Sequence, residues 1–333
     1  MNRYARQIAL PEMRPEGQDR LRNARVVIVG AGGLAAPVLQ YLGGAGVGRI
    51  RIVDPDRVEV ANLHRQTLFR EADVGSPKAE VAAAALRALN RDCRVEPVIA
   101  ALDPANADTL CKDADLVLDC ADSFAVSYIL SDTCRAKGLT LVSASVIGLG
   151  GYAGAFCGDA PSLRAVFPDL PRSAGSCAED GVLGPVVGVI GALQAQMALA
   201  LIAGIAPSPL GSIVTFDGSN LRFGGFAFTG APEPAQAPRF LAVSDIREND
   251  FVVDLRSADE APLVRPSAHR LPVTAFGPDG PSPDTGHRAV LCCRSGLRAW
   301  AAAERLSRVW EGPIFLVALG DPPPRYTPDG ENE

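Results

Sequence analysis

The run Val26-Val27-Ile28-Val29, followed at once by Gly30-Ala31-Gly32-Gly33, constrains this chain more than any other stretch. An unbroken β-branched run of that kind reads as a strand buried on both faces of a parallel sheet. Glycines at a strand-to-helix turn allow tight backbone angles and close approach to a ligand. The helix expected over residues 34–42 aims its free N–H groups and positive dipole end at that turn, where a phosphate is stabilised. A second strand over 49–53 ends in Asp54, at the separation where an acidic residue commonly holds a ribose hydroxyl. The pattern is that of a nucleotide site. The glycines do not name the nucleotide, because Ala35 stands at the last glycine position of the G-x-G-x-x-G pattern.

The residues beyond Asp54 discriminate between nucleotides. The chain supplies Asn62-Leu63-His64-Arg65-Gln66 and then Gly75-Ser76-Pro77-Lys78. Ser76 is a good N-cap and Pro77 a good first helical residue, which puts Lys78 in the first turn of a helix running to about Leu89. A lysine there opposes the helix dipole, so a bound anion gives it a purpose. Arg65 and Lys78 together suit a triphosphate better than a dinucleotide, although either alone reads as a solvated surface charge.

Composition sets the bounds. The length of 333 residues accommodates two domains, and 47% hydrophobic residues supply a core. A net charge of −6 argues against nucleic acid or an anionic membrane as the main partner. The N-terminal residues lack an apolar signal core, so a cytoplasmic protein is expected. The eight cysteines have no regular spacing and read as free thiols. The uncharged stretch 181–206 is long enough to cross a bilayer, but Pro185, Gln194, Gln196 and several glycines interrupt it. It reads as a glycine-rich loop leading into a buried helix over 189–201.

The rest of the chain continues the pattern. Strands are expected over 93–101, 115–122 and 140–145, and 148–154 reads as a flexible glycine-rich turn. Asp122 falls at the carboxyl end of its strand, where open α/β sheets bind ligands. A Pro/Ala-rich linker follows over 230–239, and beyond it a second small α/β unit, with strands over 251–256 and 289–292 and a helix over 299–309.

The segment from Asp54 through Asn62-Leu63-His64-Arg65-Gln66, with Asp73-Val74-Gly75-Ser76-Pro77-Lys78, resembles the adenylating enzymes of the MoeB/ThiF/HesA family, relatives of the ubiquitin-activating enzymes. The likeness runs from Arg3-Tyr4-Ala5-Arg6 to about Gly204. It implies an α/β fold with a Rossmann-like, doubly wound sheet over 1–229. It implies ATP contacts from Gly30, Gly32, Gly33, Asp54, Asn62, Arg65, Gln66 and Lys78, and Mg²⁺ with ATP at Asp122. Arg6 matches an arginine that reaches into the partner subunit's nucleotide site, which implies a homodimer. Cys177, in Gly175-Ser176-Cys177-Ala178-Glu179-Asp180, matches a reactive loop cysteine of the sulfur-transfer relatives. Ser123 and Ser127 stand where relatives usually carry Asn and Arg, which places one nucleotide contact and one charge in question.

The zinc-binding Cys-x-x-Cys pairs of most relatives are missing. The first is expected at 161–165 and the second around 215–225, and neither place has the cysteines, so no zinc is expected. Residues 240–324 resemble a shortened rhodanese domain, with 325–333 as a tail. Cys293 opens its loop, supported by Arg294, Ser295, Gly296 and Arg298, while Cys292 lies inside the strand. A sulfur curled into a helix N-terminus beside arginines favours thiolate and persulfide. The resemblance implies adenylation of the C-terminal glycine of a sulfur carrier ending in Gly-Gly, then sulfur transfer from a persulfide donor to a thiocarboxylate. A non-catalytic binder of carrier or nucleotide, an inactive docking domain in place of the rhodanese-like one, and an NAD-dependent oxidoreductase are the alternatives.

Overall fold

The structure, a computed structural model, describes residues 3–169 and 181–320. The chain divides into two compact units, Met1–Ala235 and Gln236–Glu333.

In the first unit the helices are α1 (Ala5–Ile8), α2 (Arg14–Asn23), α3 (Ala35–Ala45), α4 (Lys78–Leu89), α5 (Ala107–Leu110), α6 (Phe124–Lys137), α7 (Leu163–Val166) and α8 (Gly184–Ala203). The strands are β1 (Arg25–Val29), β2 (Arg49–Val53), β3 (Arg94–Val98), β4 (Leu116–Asp119), β5 (Thr140–Ile147), β6 (Gly150–Cys157), β7 (Ser212–Asp217) and β8 (Arg222–Ala227). They form one sheet in the order β3-β2-β1-β4-β5-β6-β7-β8. The first five pair in parallel and the last three are added antiparallel. Strand β1 pairs with β2 on one side and β4 on the other, Val29 standing opposite both Val53 and Asp119. The winding therefore reverses between β1 and β4, the place where sheets of this type open a crevice at their carboxyl ends.

Helix α8 is apolar and long enough to cross a membrane by length and composition. Here it packs on α3, β5 and β6, with Ile190, Gln194 and Ala198 fully buried. Close approach is enforced at Gly191, where a Cβ would lie 2.5 Å from the Leu34 carbonyl oxygen. The helix starts earlier than the residue pattern predicts, because Gly184 and Pro185 already belong to it. The expected flexible turn at 148–154 is also corrected. Most of it is strand β6, and its glycines answer to packing: a Cβ on Gly151 would sit 2.5 Å from the Ser145 carbonyl and one on Gly154 2.7 Å from Ile213. The region expected to correspond to a second cysteine pair is the β7–β8 hairpin.

The second unit holds a five-stranded parallel sheet ordered β11-β10-β12-β13-β9. Its strands are β9 (Arg239–Phe240), β10 (Phe251–Asp254), β11 (His269–Arg270), β12 (Ala289–Cys293) and β13 (Ile314–Ala318). Helix α9 (Leu297–Leu306) packs on β12 and β13, two residues earlier than its expected start. Val252, Ala268, Val290, Cys292 and Val317 form one hydrophobic cluster of this unit.

Candidate functional site

The carboxyl ends of β1, β2 and β4 meet around the glycine turn. Gly30 has φ +92, and a Cβ there would lie 2.6 Å from the Cys120 carbonyl oxygen, so only glycine lets β1 end this close to β4. Gly32 and Gly33, predicted alike, do different things. A Cβ on Gly32 meets nothing nearer than Gln66 Nε2 at 3.7 Å, so space beside it is open to a ligand. A Cβ on Gly33 would lie 2.8 Å from Val187 and 3.2 Å from the Arg65 carbonyl oxygen. Glycine is required there by α8 and the Arg65 backbone.

Asp54 follows β2 and is buried. Its Oδ2 accepts the Ala31 N–H at 2.6 Å and its Oδ1 the Asp56 N–H at 2.8 Å. Burial raises its pKa, while those two bonds and the charge of Lys78 pull the other way. Asp54 thus fixes the glycine turn and keeps a free lone pair on each oxygen for a hydroxyl donor.

Lys78 begins α4, and the N-cap is Pro77, a correction to the predicted Ser76 cap. The reason is visible: the Lys78 N–H already bonds to the Asp56 carbonyl at 2.9 Å, and Ser76 and Pro77 are held extended against residues 57 and 58. The Lys78 side chain is 7% exposed, and its Nζ pairs with Asp56 Oδ2 at 2.9 Å. The motifs above do not single out Asp56, although an acid two residues past Asp54 is a signal for it. Arg65 is half-buried and donates to Asn62 Oδ1 at 2.9 Å. Gln66 is buried, and among the described residues its Oε1 has no hydrogen-bond partner, beside the open face of Gly32. An orphaned acceptor next to open space and a turn of N–H groups fits a bound nucleotide. Asp122 is exposed in the turn after β4, and its carboxylate fits a hard cation brought in with phosphates.

Arg6 lies elsewhere. It is exposed on α1, whose neighbour Gln7 bonds to the Ala45 carbonyl at 2.8 Å, at the far end of α3 from the glycine turn. Cys177 lies outside the described residues. Ser123 is the N-cap of α6 without a side-chain bond, and the Ser127 hydroxyl reaches the Ser123 carbonyl at 3.3 Å. At the place of the first expected cysteine pair, Ser162 donates its N–H and hydroxyl to Glu233 at 2.7 and 2.6 Å, and Glu233 also pairs with Arg135. Among the described residues no group of three His, Cys, Asp or Glu is placed to hold a metal ion.

In the second unit Cys293 closes β12 and is fully buried. Its Sγ accepts the N–H groups of Gly296 at 3.1 Å and Ala299 at 3.4 Å. Gly296, in the left-handed conformation at φ +89, lets the chain curl so that α9 begins over the sulfur. Arg298 reaches Cys293, Glu260 and the Leu255 carbonyl, the last at 3.1 Å. Arg294 and Ser295 are exposed at the rim. Cys292 points into the core, and burial pushes its thiol up to about 12, which makes it inert.

The ThiF family model matches residues 4–236. A sulfur carrier protein adenylyltransferase of Thermus thermophilus is 42% identical over 67% of this chain and 85% of its own length. The adenylyltransferase and sulfurtransferase MOCS3 of Sus scrofa is 46% identical over 65% of this chain, which spans about half, 48%, of that protein. Among solved structures, E. coli MccB with MccA-N7isoASN superposes with a TM-score of 0.62 at 24% identity, covering 70% of this chain and 74% of that one, a likeness of fold. The match runs through the crevice formed by Gly30, Asp54, Gln66 and Lys78, and the chain belongs to the ThiF family.

Proposed function

We propose that this protein adenylates the C-terminal glycine carboxylate of a small ubiquitin-like sulfur carrier and then converts it to a thiocarboxylate. The observation that carries the reading is the buried Lys78 at the start of α4, facing the same crevice as Asp54, Gly32 and the orphaned Gln66 oxygen. The 42% identity to a sulfur carrier protein adenylyltransferase supports the carrier as substrate.

A carboxylate is a poor electrophile at its own carbon, so it must first gain a leaving group. The carrier's carboxylate oxygen attacks the α-phosphorus of ATP, the bond to the β-phosphate oxygen breaks, and pyrophosphate leaves. The protein's part is positioning and charge compensation. Gly32 and the α3 N-terminus admit the phosphates, Lys78 and Arg65 offset their charge, and Asp54 accepts ribose hydroxyl protons. Mg²⁺ held by Asp122 would screen the triphosphate further. Arg6 acts from the partner subunit of a homodimer. No zinc is included, because the two places where most relatives carry cysteine pairs lack the cysteines.

The second unit supplies sulfur as a rhodanese-like domain. A persulfide donor passes its outer sulfur to Cys293, whose Sγ is held by two backbone N–H groups and lies within reach of Arg298. The terminal sulfur attacks the acyl carbon and displaces AMP. A second thiol, for which Cys177 is the sequence candidate, attacks the Cys293 sulfur of the acyl disulfide; the sulfur–sulfur bond to the acyl group breaks, the thiocarboxylate leaves, and an external reducing thiol reduces the new disulfide between the two thiols before the next turnover.

The test is ATP–pyrophosphate exchange with and without a carrier ending in Gly-Gly from the same genome. Carrier-dependent exchange is expected. Failure of every candidate carrier to support exchange, in a protein that binds ATP, would overturn the reading in favour of a non-catalytic binder.

A further inference from the structure

One buried acid beside the site takes no part in the adenylation chemistry. Asp119, the last residue of β4, is fully buried. Its Oδ2 accepts the Ser143 hydroxyl from β5 at 2.8 Å and its Oδ1 the Ala121 N–H at 3.2 Å. The Ser127 hydroxyl of α6 is within reach of the same carboxylate. Its backbone carbonyl accepts Gln194 Nε2 from α8 at 2.7 Å, and that amide also holds the Val142 carbonyl at 3.0 Å and the Cys120 thiol at 3.3 Å. One residue at the end of β4 therefore ties β5, α6 and α8 to the turn that carries Asp122.

We infer that Asp119 is a positioning residue for nucleotide turnover, holding the Ala121–Asp122 turn in place through its carboxylate; the inference rests on the adenylation reading. Two groups donate to the carboxylate, a peptide N–H and the Ser143 hydroxyl, and the Ser127 hydroxyl, which reaches the Ser123 carbonyl, stands close by. An ionised carboxylate accepts both donors, whereas an amide offers one acceptor oxygen and an NH₂ that meets a donor. Among the described residues, the other titratable groups near it are Asp122 from the turn, Tyr152 from β6, and the Cys120 and Cys134 thiols. None of these is a cation. A buried carboxylate without a counter-ion is costly to keep. Asparagine would avoid that cost, but its NH₂ would face a donor, so the acid is the residue that holds the Ala121 N–H and the Ser143 hydroxyl together. Its use lies in the turn it holds, through the N–H of Ala121, the residue before Asp122.

The experiment compares the parent with Asp119→Asn in the full chain. It uses carrier-dependent pyrophosphate exchange, thermal unfolding, and amide hydrogen exchange of a peptide spanning Ala121. The expected result is a fall in kcat of roughly 10²-fold, the scale of a small misplacement of reacting groups, with KM for ATP little changed. The melting temperature at neutral pH stays at or above the parent's, and the Ala121 peptide exchanges faster. Unchanged kcat and unchanged Ala121 exchange would overturn the inference, as would loss of activity only in step with loss of stability. If the parent itself shows no exchange of pyrophosphate, the adenylation reading fails, and the Ala121 peptide still decides the positioning role. Should Asp119→Asn not fold, Ser143→Ala removes one donor instead: slower turnover in a folded protein supports the inference, and parent-like turnover refutes it.

Discussion

The Lys78 ammonium lies 2.9 Å from Asp56 Oδ2, with the lysine side chain 7% exposed and the aspartate side chain 62% exposed. The pair is asymmetric: the cation is sequestered and its partner is free to swing into solvent. An incoming polyphosphate can take over the ammonium without leaving Asp56 buried and unpaired. Lys78→Ala is expected to lower adenylation by about 10²–10³-fold, the scale for removing one group aimed at transferring phosphate charge. The fold should survive, because the orphaned carboxylate is solvated. Pyrophosphate exchange and circular dichroism check both halves, and unchanged exchange would remove Lys78 from the mechanism.

The two glycines of the turn separate binding from stability. Gly33→Ala forces a methyl to within 2.8 Å of Val187 and 3.2 Å of the Arg65 carbonyl. Overpacking of that kind costs about 1–3 kcal/mol, so the melting temperature should fall. Gly32→Ala has room, its nearest contact being the Gln66 amide at 3.7 Å. It should leave the melting temperature alone and weaken ATP binding, which calorimetry would register. A reversed pattern would show that the open space lies elsewhere.

Asp119 makes a pH prediction of definite sign. Burial raises its pKa from 3.8 to about 6, against hydrogen bonds from Ser127, Ser143 and Ala121. The native state thus holds the proton more tightly than the unfolded chain does. The stability this group contributes is fully present below the unfolded value and is lost as pH rises through about 6. The difference corresponds to about 3 kcal/mol. Asp119→Asn should therefore be more stable than the parent at neutral pH, and the gap should close on acidification towards the unfolded pKa. Urea unfolding across that window is the measurement. A gap that widens in acid would reverse the sign and sink the assignment.

The strand–turn–helix around Gly30, Asp54 at the end of β2, and Lys78 at the start of α4 were legible because each rests on a local pattern: a β-branched run, a strand terminus, a helix start. Strand β6 was not, because Gly150, Gly151 and Gly154 read locally as a turn. Gly151 and Gly154 answer instead to Ser145 and Ile213, which only the assembled sheet brings near. The cap of α4 failed for a similar reason. Ser76 has the right chemistry, but the Asp56 carbonyl, well back along the chain, already satisfies the Lys78 N–H. The different duties of Gly32 and Gly33, and the network on Asp119, depend on α8, whose distance along the chain hides it from any local pattern.

Cys293 tests the division of labour between the units. Its sulfur is held by the Gly296 and Ala299 N–H groups at the start of α9. The adenylation crevice is built wholly from residues of the first unit. Cys293→Ala should leave pyrophosphate exchange intact and abolish sulfur transfer from thiosulfate or a persulfide donor, read as the thiocarboxylate mass shift on the carrier. Cys292→Ala, which empties a small buried volume facing the other way, should keep transfer. An equal fall in exchange for Cys293→Ala would contradict the assignment of sulfur chemistry to that residue alone.

Arg6 provides the test of the dimer. Tyr4 packs on Gly46 and Gln7 bonds to the Ala45 carbonyl, which anchors α1 at the carboxyl end of α3. The glycine turn lies at the other end of that helix, about 16 Å away at 1.5 Å per residue. Arg6 therefore lies too far away to serve the phosphates of its own chain, and the role proposed for it calls for a second copy. Arg6→Ala and Lys78→Ala should each be inactive alone. Mixed under conditions that exchange subunits, they should regain turnover, because a heterodimer contains one site with a native Lys78 and a native Arg6 from the neighbour. Sedimentation should report a dimer for each variant. Dimers that exchange subunits without regaining turnover would show that Arg6 does not act across the interface.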